Sequence, residues 1–582
     1  MADRYKGGSF LLSETDPGSI FTAEDFSEEH RMIASTVSRF VGEKVLPVME
    51  DLDSKKEGMM RGLLVEAGEL GLLGADIPEQ FGGSEMDEVC STIIAEGLGC
   101  SGSFCVAHGG QVGIGSLPVV YFGTEQQKSK YLPPVSTGDK IAAYALTEPG
   151  SGSDAMSAKT KAVLGPDGTH YILNGAKQFI TNAGMADIFI VYAKIDGDKF
   201  SAFIVDGDSP GLSTGAEEKK MGIRGSSTRS VYFDDVKVPA ENLLFEIGRG
   251  HIVAFNILNI GRHKVSANAL GCAKLAVDLS ANYANERKQF QVPIAEFGMI
   301  KEKLARMATY TYVAESVVYR TAGLLNDILQ SLERGGPEGG RAAAAAIEEY
   351  AVECSLGKVF VSEVQAYVVD EGVQIHGGYG FISEYAIERL YRDARITRIF
   401  EGTNEINRTI VPTTLVRRAQ KGLPFQKAME DLKVRLASEV PVRENEAGIV
   451  QAAKDVFLFA LATAQDSFGA NLLKNQEILG RLADLAILAY AMESGWLRTR
   501  KAAGVKAETA LHKTAMARAF IYESIRKIET SAVEILAACS AGAEAAQLLA
   551  KLGNLLRHAP IDLIALRREI AAKISETGKY VA

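Results

Sequence analysis

The apolar residues of this chain change period twice, and those two changes restrict the fold more than any other feature of the sequence. From about Thr22 to Gln127 the apolar spacing is helical, broken at Ile77-Pro78-Glu79-Gln80-Phe81-Gly82-Gly83, where proline and paired glycines force a loop. Near Lys140 it gives way to short β-rich runs at 141–146, 171–173, 188–193, 201–205 and 230–233, separated by turns such as Gly165-Pro166-Asp167-Gly168. After Pro239 helical spacing returns and lasts to about Arg418. Within it the glycine-rich 334–340 segment reads as a surface loop. A second break at Lys421-Gly422-Leu423-Pro424 opens roughly 150 residues rich in Ala, Leu, Glu and Lys, which read as three or four amphipathic helices. The expectation is a mainly α fold with a central β domain. Its units are a helical domain at 22–140, a β domain at 141–240, a helical bundle at 241–420 and a C-terminal helical extension at 421–582.

Composition narrows the function classes. A chain of 582 residues needs more than one core, and its 47% hydrophobic and 23% charged residues are those of a folded protein. A net charge of −10 speaks against a nucleic-acid footprint, which needs clustered Lys and Arg. The cysteines Cys90, Cys100, Cys105, Cys272, Cys354 and Cys539 lack paired metal-ligand spacing, and they suit a reducing compartment. No metal is expected. The first twenty residues carry Asp3, Glu14 and Asp16 and show neither a secretory nor a transit pattern, so a cytoplasmic location is expected. The most apolar run, 456–464, is about half of the ~20 residues a membrane span requires.

Two segments carry chemistry on their own residue types. Gly150-Ser151-Gly152-Ser153-Asp154-Ala155 has the spacing of a dinucleotide fingerprint, yet the residues after it read as a strand rather than a helix, so a Rossmann site is rejected. The remaining reading is a glycine-rich loop that brings backbone amides and the hydroxyls of Thr147 and Ser153 near a ligand. Glu401 comes after Arg392, Arg395 and Arg398, a pattern that by itself suits a solvated carboxylate, but Ile399 and Phe400 beside it suit a buried one with a raised pKa.

Four separated segments resemble the acyl-CoA dehydrogenase family. They are Thr147-Glu-Pro-Gly-Ser-Gly-Ser-Asp154, Phe179-Ile-Thr-Asn182, Glu286-Arg-Lys-Gln-Phe290, and Gln374-Ile-His-Gly-Gly-Tyr-Gly-Phe381 followed by Ile399-Phe-Glu-Gly-Thr-Asn-Glu-Ile-Asn-Arg408. The resemblance covers roughly residues 25 to 420, and Asn259-Ile260-Gly261-Arg262 with the extension looks like the very-long-chain branch. It implies FAD as cofactor, a β-barrel middle domain and a four-helix bundle. Tyr144, Leu146, Thr147, Phe179 and Thr181 would line the isoalloxazine. Arg287, Gln289 and Phe290 would reach the FAD of a neighbouring subunit, Gln374 and Gly378 would bracket its phosphates, and Thr403 and Glu405 would lie near it. Arg262, Asn259 and Ser153 would meet the CoA thioester, and Gly402 would admit it closely. Glu401 would be the base that takes the α-proton while a hydride leaves the β-carbon. Some members carry the base one residue before the arginine of the Asn259–Arg262 stretch, where this chain has Gly261.

The implied reaction turns a long-chain or very-long-chain acyl-CoA into its trans-2-enoyl-CoA in fatty acid β-oxidation, with electrons passed to an electron-transferring flavoprotein by a homodimer. Two alternatives stay open: an oxidase that returns electrons to oxygen, and a family-derived scaffold or assembly protein. Four glycines at 109, 110, 113 and 115 on an expected helix would deepen an acyl cavity, although close helix packing explains them equally well. In very-long-chain enzymes a region comparable to the extension approaches the membrane, which implies weak membrane association. Lys454 is the one cation between Glu446 and Ser467, however, and this favours packing within a dimer.

Overall fold

The computed structural model describes residues 5–332, 336–437, 441–505 and 507–582. The N-terminal helices Glu28–Phe40, Met59–Glu69, Glu88–Leu98, Ser103–Gly109 and Glu125–Thr137 include three that start where the chain supplies caps. Ser27, Asp87 and Thr124 each accept a backbone N–H from the first turn of the helix they precede.

The middle of the chain forms one eight-stranded sheet. Its hydrogen-bonded path runs Leu212–Thr214, Thr228–Pro239, His170–Thr181, Lys161–Leu164, Ile188–Ile195, Lys199–Asp206, Leu243–Leu244, with Ala142–Ala145 parallel to Ile188–Ile195. Side chains alternate across a strand, so Ile188, Ile190 and Tyr192 pack towards the helices while Phe189, Val191 and Ala193 enter the domain's own core. There they join Tyr171, Leu173, Val231 and Val236 from the far side of the sheet, and the sheet curls around this second core. Burial on both faces is why 188–193 reads as a continuous apolar run.

Behind the sheet stand the long helices Gly250–Glu286, Gly298–Leu329, Ala351–His376 and Asn404–Gln420. Gly250–Glu286 has 37 residues and extends about 55 Å at 1.5 Å per residue. The loop expected at 334–340 is corrected in part. Residues 333–335 lie outside the described residues, and a helix, Gly336–Glu349, begins inside the expected loop. Proline is tolerated in a first turn, and the alanine run 342–346 carries the helix on from there.

The break at Lys421–Pro424 is real, but the extension holds more helices than expected: Phe425–Arg435, Glu446–Phe468, Gln476–Val505, Ala507–Cys539, Gly542–Leu555 and Leu563–Thr577. Glu446–Phe468 with the turn after it is long and apolar enough to cross a membrane by length and composition, which the 456–464 run alone did not suggest. In its most apolar window 78% of the residues are buried inside this same chain. Packing between subunits, expected for this stretch, is therefore not needed to cover its stripe. Its Lys454 is buried as well, paired with Glu493 and donating to the Ser13 carbonyl at 2.9 Å.

A buried ionic network joins extension and bundle. Arg498 reaches Glu315 at 2.6 Å and Glu24 at 2.9 Å, Arg320 reaches Glu493 at 2.8 Å, and the Tyr580 hydroxyl donates to Glu315 at 2.8 Å. Arg498 and Lys274 hold the Glu315 carboxyl well below its usual range, although burial alone would raise it. Removing Arg498 strips a buried cation from two carboxylates and leaves Glu315 to Lys274 and Tyr580, and Glu24 to Lys513, an uncompensated change in the interior. Arg498→Met is expected to cost about 3 kcal/mol or more, read as a lowered thermal unfolding temperature with the FAD content of the folded fraction unchanged.

Candidate active site

The sheet and the bundle meet at Glu401. The residue lies between the short turn Arg395–Arg398 and the helix Asn404–Gln420, for which Thr403 is the cap, its Oγ1 accepting the Ile406 N–H at 3.2 Å. Between them Glu401 has φ +55° and Gly402 φ +81°. Glycine adopts this left-handed conformation freely, but for a glutamate it costs of order 1 kcal/mol or more and persists only where the surroundings enforce it.

Three side chains enforce it. Arg262 Nε donates to the Glu401 carbonyl at 3.3 Å, Lys358 Nζ to the Gly402 carbonyl at 2.8 Å, and Asn407 Nδ2 to the Gly402 and Thr403 carbonyls at 2.9 and 3.1 Å. Asn259 in turn orients Arg262, accepting from its Nη1 at 2.6 Å. So Asn259 and Arg262, both buried, are brought to Glu401 and hold its turn.

The strained turn places the carboxyl against Gly261. A Cβ at Gly261 would lie 2.8 Å from Glu401 Oε2, so no side chain fits there while Glu401 keeps its position. Oε2 is buried and meets no hydrogen-bond donor. Burial pushes the Glu401 carboxyl up to about 7, against the pull of Arg262 and Lys358. Burial also pushes the Lys358 ammonium down to about 7 and the Arg262 guanidinium below its usual range. The Tyr144 hydroxyl is buried without a hydrogen-bond partner, and that burial, followed by the neighbouring Tyr192 and then the charge of Glu401, raises its pKa.

Tyr144 comes from the strand Ala142–Ala145, and the loop after it carries Leu146 and Thr147. Glu148, to which the motif alone assigns no role, anchors this loop. Its carboxylate accepts from Lys177 Nζ at 2.7 Å, from Lys159 N at 2.5 Å and from Thr160 N at 3.1 Å. Its burial is outweighed by Lys177 and these donors, which hold the carboxyl below its usual range. The Thr147 carbonyl accepts from Gln178 N at 2.8 Å, which ties the loop to the strand His170–Thr181. That strand breaks register between Lys177 and Ile180, and in the bulge Phe179 takes φ +59° with 58% of its surface exposed. A large aromatic held strained and open at a bulge suits a flat ligand better than a core. Thr181 is half-buried beyond it, and Asn182 ties the strand end to the Ala107 carbonyl at 2.9 Å. Cβ atoms at Gly150 and Gly152 would meet nothing within 4 Å, and Ser153 is exposed beside them.

A second cluster shares no lining residue with the first. An open groove of about 490 Å³ is lined by Arg287, Gln289, Gly378 and Tyr379 among others, with the Arg287 guanidinium 5.6 Å from the Tyr379 ring centre. Gly377 and Gly378 leave open space where side chains would stand. The hairpin Lys288–Gln289 with Val292–Pro293 turns through Phe290 and Gln291, both with positive φ, and leaves Phe290 88% exposed. Gln374 and Glu405 are exposed, and neither is among the groove's lining residues.

The four glycines divide by environment. A Cβ at Gly110 would approach Asn182 and Thr181, and one at Gly115 would strike Ala142, so these two serve close packing. Gly113 faces the Lys264 stem at 3.8 Å, and Gly109 alone of the four opens on free space. Among the described residues His30, Asp87 and Cys90 place metal-capable atoms within 4.8 Å of one another. Asp87 and His30 are engaged there in helix caps, accepting from Cys90 N at 2.7 Å and Ser27 N at 3.1 Å.

Sequence profiles of acyl-CoA dehydrogenases match the chain in order: the N-terminal domain at 27–139, the middle domain at 143–236 and the C-terminal domain at 248–415, with a further C-terminal domain at 452–553. A probable acyl-CoA dehydrogenase of Bacillus subtilis (strain 168) is 51% identical over 100% of this chain and 99% of its own length. The very long-chain specific acyl-CoA dehydrogenase of mouse mitochondria is 33% identical over 90% of this chain and 82% of its own. The crystal structure of an acyl-CoA dehydrogenase complexed with FAD from Bacillus anthracis superposes with a TM-score of 0.97 at 53% identity, covering 99% of this chain and 100% of that one. Similar along its whole length to proteins of this kind, the chain belongs to the acyl-CoA dehydrogenase family of oxidoreductases.

Proposed function

We propose that this acyl-CoA dehydrogenase uses FAD to convert long-chain or very-long-chain fatty acyl-CoA thioesters to trans-2-enoyl-CoA in fatty acid β-oxidation, with Glu401 as the base. The observation that carries the reading is the Glu401 carboxyl, whose Oε2 is buried without a donor against Gly261, an environment that pushes the group up to about 7. An ordinary carboxylate is too weak a base for a thioester α-proton, and apolar burial raises its basicity towards working pH.

The residues present fit FAD. Phe179 offers an exposed aromatic face, the Tyr144 hydroxyl lacks a partner, and the backbone at Gly150 and Gly152 is open to close approach. Leu146, Thr147 and Thr181 complete the isoalloxazine side, with Thr403 and Glu405 at the foot of the Glu401 turn. Arg287, Gln289, Phe290, Gln374 and Gly378 would hold the distal part of a neighbouring subunit's FAD. A strained, exposed hairpin tip and a groove apart from the base support this division of labour in a homodimer. When bound, FAD supplies the hydride acceptor opposite the base. Arg262 and Ser153 meet the thioester arm, Gly402 admits it, and the Glu401 N–H donates to the carbonyl oxygen as enolate charge develops. The Glu401 carboxylate takes the C2 proton.

The mouse very long-chain relative and the open Gly109 support long acyl chains. Electrons then leave to an electron-transferring flavoprotein. The six free cysteines support a reducing compartment, and we place the enzyme in the cytoplasm.

Glu401→Gln is expected to bind acyl-CoA but to lose about 100- to 10,000-fold in the anaerobic bleaching of flavin absorbance. In the wild type, kcat/KM rises with pH through about 7, because the raised carboxyl must ionise to act. Bleaching unaffected by the substitution contradicts the mechanism. Gly261→Ala inserts a methyl where Oε2 lies and is expected to slow turnover about tenfold or more while FAD content stays full. Across saturated acyl-CoAs from C4 to C22, kcat/KM is expected to peak at C14 or longer. A peak at C8 or below rejects the chain-length assignment, and peroxide formed at the rate of turnover identifies an oxidase instead.

A further inference from the structure

Lys358 is a buried cation for which the reaction has no direct use. It projects from the helix Ala351–His376, where every residue from 351 to 362 is buried. Its Nζ donates to the Gly402 carbonyl at 2.8 Å and to Asn404 Oδ1 at 2.7 Å. Asn404 is fixed in its turn, donating from Nδ2 to Ser362 Oγ and to Glu363 Oε1, each at 3.1 Å. The chain of contacts runs from one bundle helix through a lysine to the peptide just after the base.

We propose that Lys358 is a positioning residue for Glu401: by gripping the Gly402 carbonyl it keeps the turn at 401–402 in the strained conformation that aims the carboxyl at Gly261. This rests on the assignment of Glu401 as the base. The strain is real, since Glu401 sits at φ +55°, and a residue held there relaxes once its restraints weaken. Arg262 and Asn407 grip the same turn from the helices Gly250–Glu286 and Asn404–Gln420, the first of which also packs on the carboxyl at Gly261. Lys358 ties the turn to a third helix. When protonated it adds, after Arg262, a second positive field that lowers the Glu401 carboxyl against burial. The groups facing Glu401 are Arg262, Lys358 and the Tyr144 hydroxyl, and those facing Lys358 are Glu401, Arg262, Glu363 and Glu405. A lysine that merely joined two helices would affect stability when replaced and leave the behaviour of the base alone.

The test uses FAD-loaded Lys358→Met, Lys358→Arg and Asn404→Ala proteins with a 3-thia acyl-CoA, whose sulfur at the β-position leaves no β-hydride to transfer. Exchange of its C2 hydrogens with D2O, followed by NMR, reads the base by itself. The infrared carboxyl band that disappears in Glu401→Gln reads the ionisation of Glu401 directly. Lys358→Met is expected to keep FAD and ligand binding, to slow exchange and kcat about 100-fold with little change in KM, and to move the Glu401 titration to higher pH. Lys358→Arg returns the titration towards the wild-type position. If Lys358→Met does not fold, Asn404→Ala removes one anchor and leaves the charge, and is expected to slow exchange without moving the titration. Exchange and titration at wild-type values in Lys358→Met, or undiminished exchange in Asn404→Ala, overturn the proposal. Exchange that persists in Glu401→Gln instead refutes the assignment of the base, which is a separate failure.

Discussion

A carboxyl group with no hydrogen-bond donor on its buried oxygen is costly for any fold, and the architecture around Glu401 is organised to bear that cost. Three bundle helices contribute Arg262, Lys358 and Asn407 to its backbone, and none of these bonds goes to the carboxylate itself. That distinction matters. Donors on the carboxylate would stabilise its ionised form and lower its basicity, whereas donors on the neighbouring carbonyls fix its direction and leave it a base. Arg262 and Lys358 act on it only through their fields, which burial outweighs.

The absence of a side chain at 261 belongs to the same constraint. The helix Gly250–Glu286 passes so close to Oε2 that a methyl group would collide with it, so the vacant position and the occupied one depend on each other. The sheet supplies the other wall. Glu148 and Lys177, an ion pair buried on both sides, lock the loop after Tyr144 to the strand whose bulge exposes Phe179. The sheet thus brings the buried Tyr144 hydroxyl within electrostatic reach of Glu401 and exposes the Phe179 ring at its bulge.

Much of this was legible in the sequence. The runs at 188–193 and 201–205 are strands because both of their faces are buried, and the break at 421–424 ends a helix because glycine and proline cannot continue it. The family resemblance, rather than the local charge pattern, pointed to Glu401 and to the bare position at Gly261. The features that stayed hidden depend on contacts between segments distant in sequence. Nothing local marks Lys358 as a partner of Gly402, forty-four residues away, or Glu148 as a partner of Lys177. Gly113 reads as cavity until the Lys264 stem is seen against it. The helix Gly336–Glu349 shows a simpler limit, since glycine and proline at its start concealed an alanine run strong enough to form it.

The most direct test of the central claim is a crystal structure of the FAD-loaded protein with a non-oxidisable 3-thia acyl-CoA. A Glu401 carboxylate oxygen is expected about 3–3.5 Å from C2 of the ligand, with Phe179 and the flavin ring on the opposite side. A Glu401 side chain directed to bulk solvent in that complex, with another group placed at C2, would contradict it.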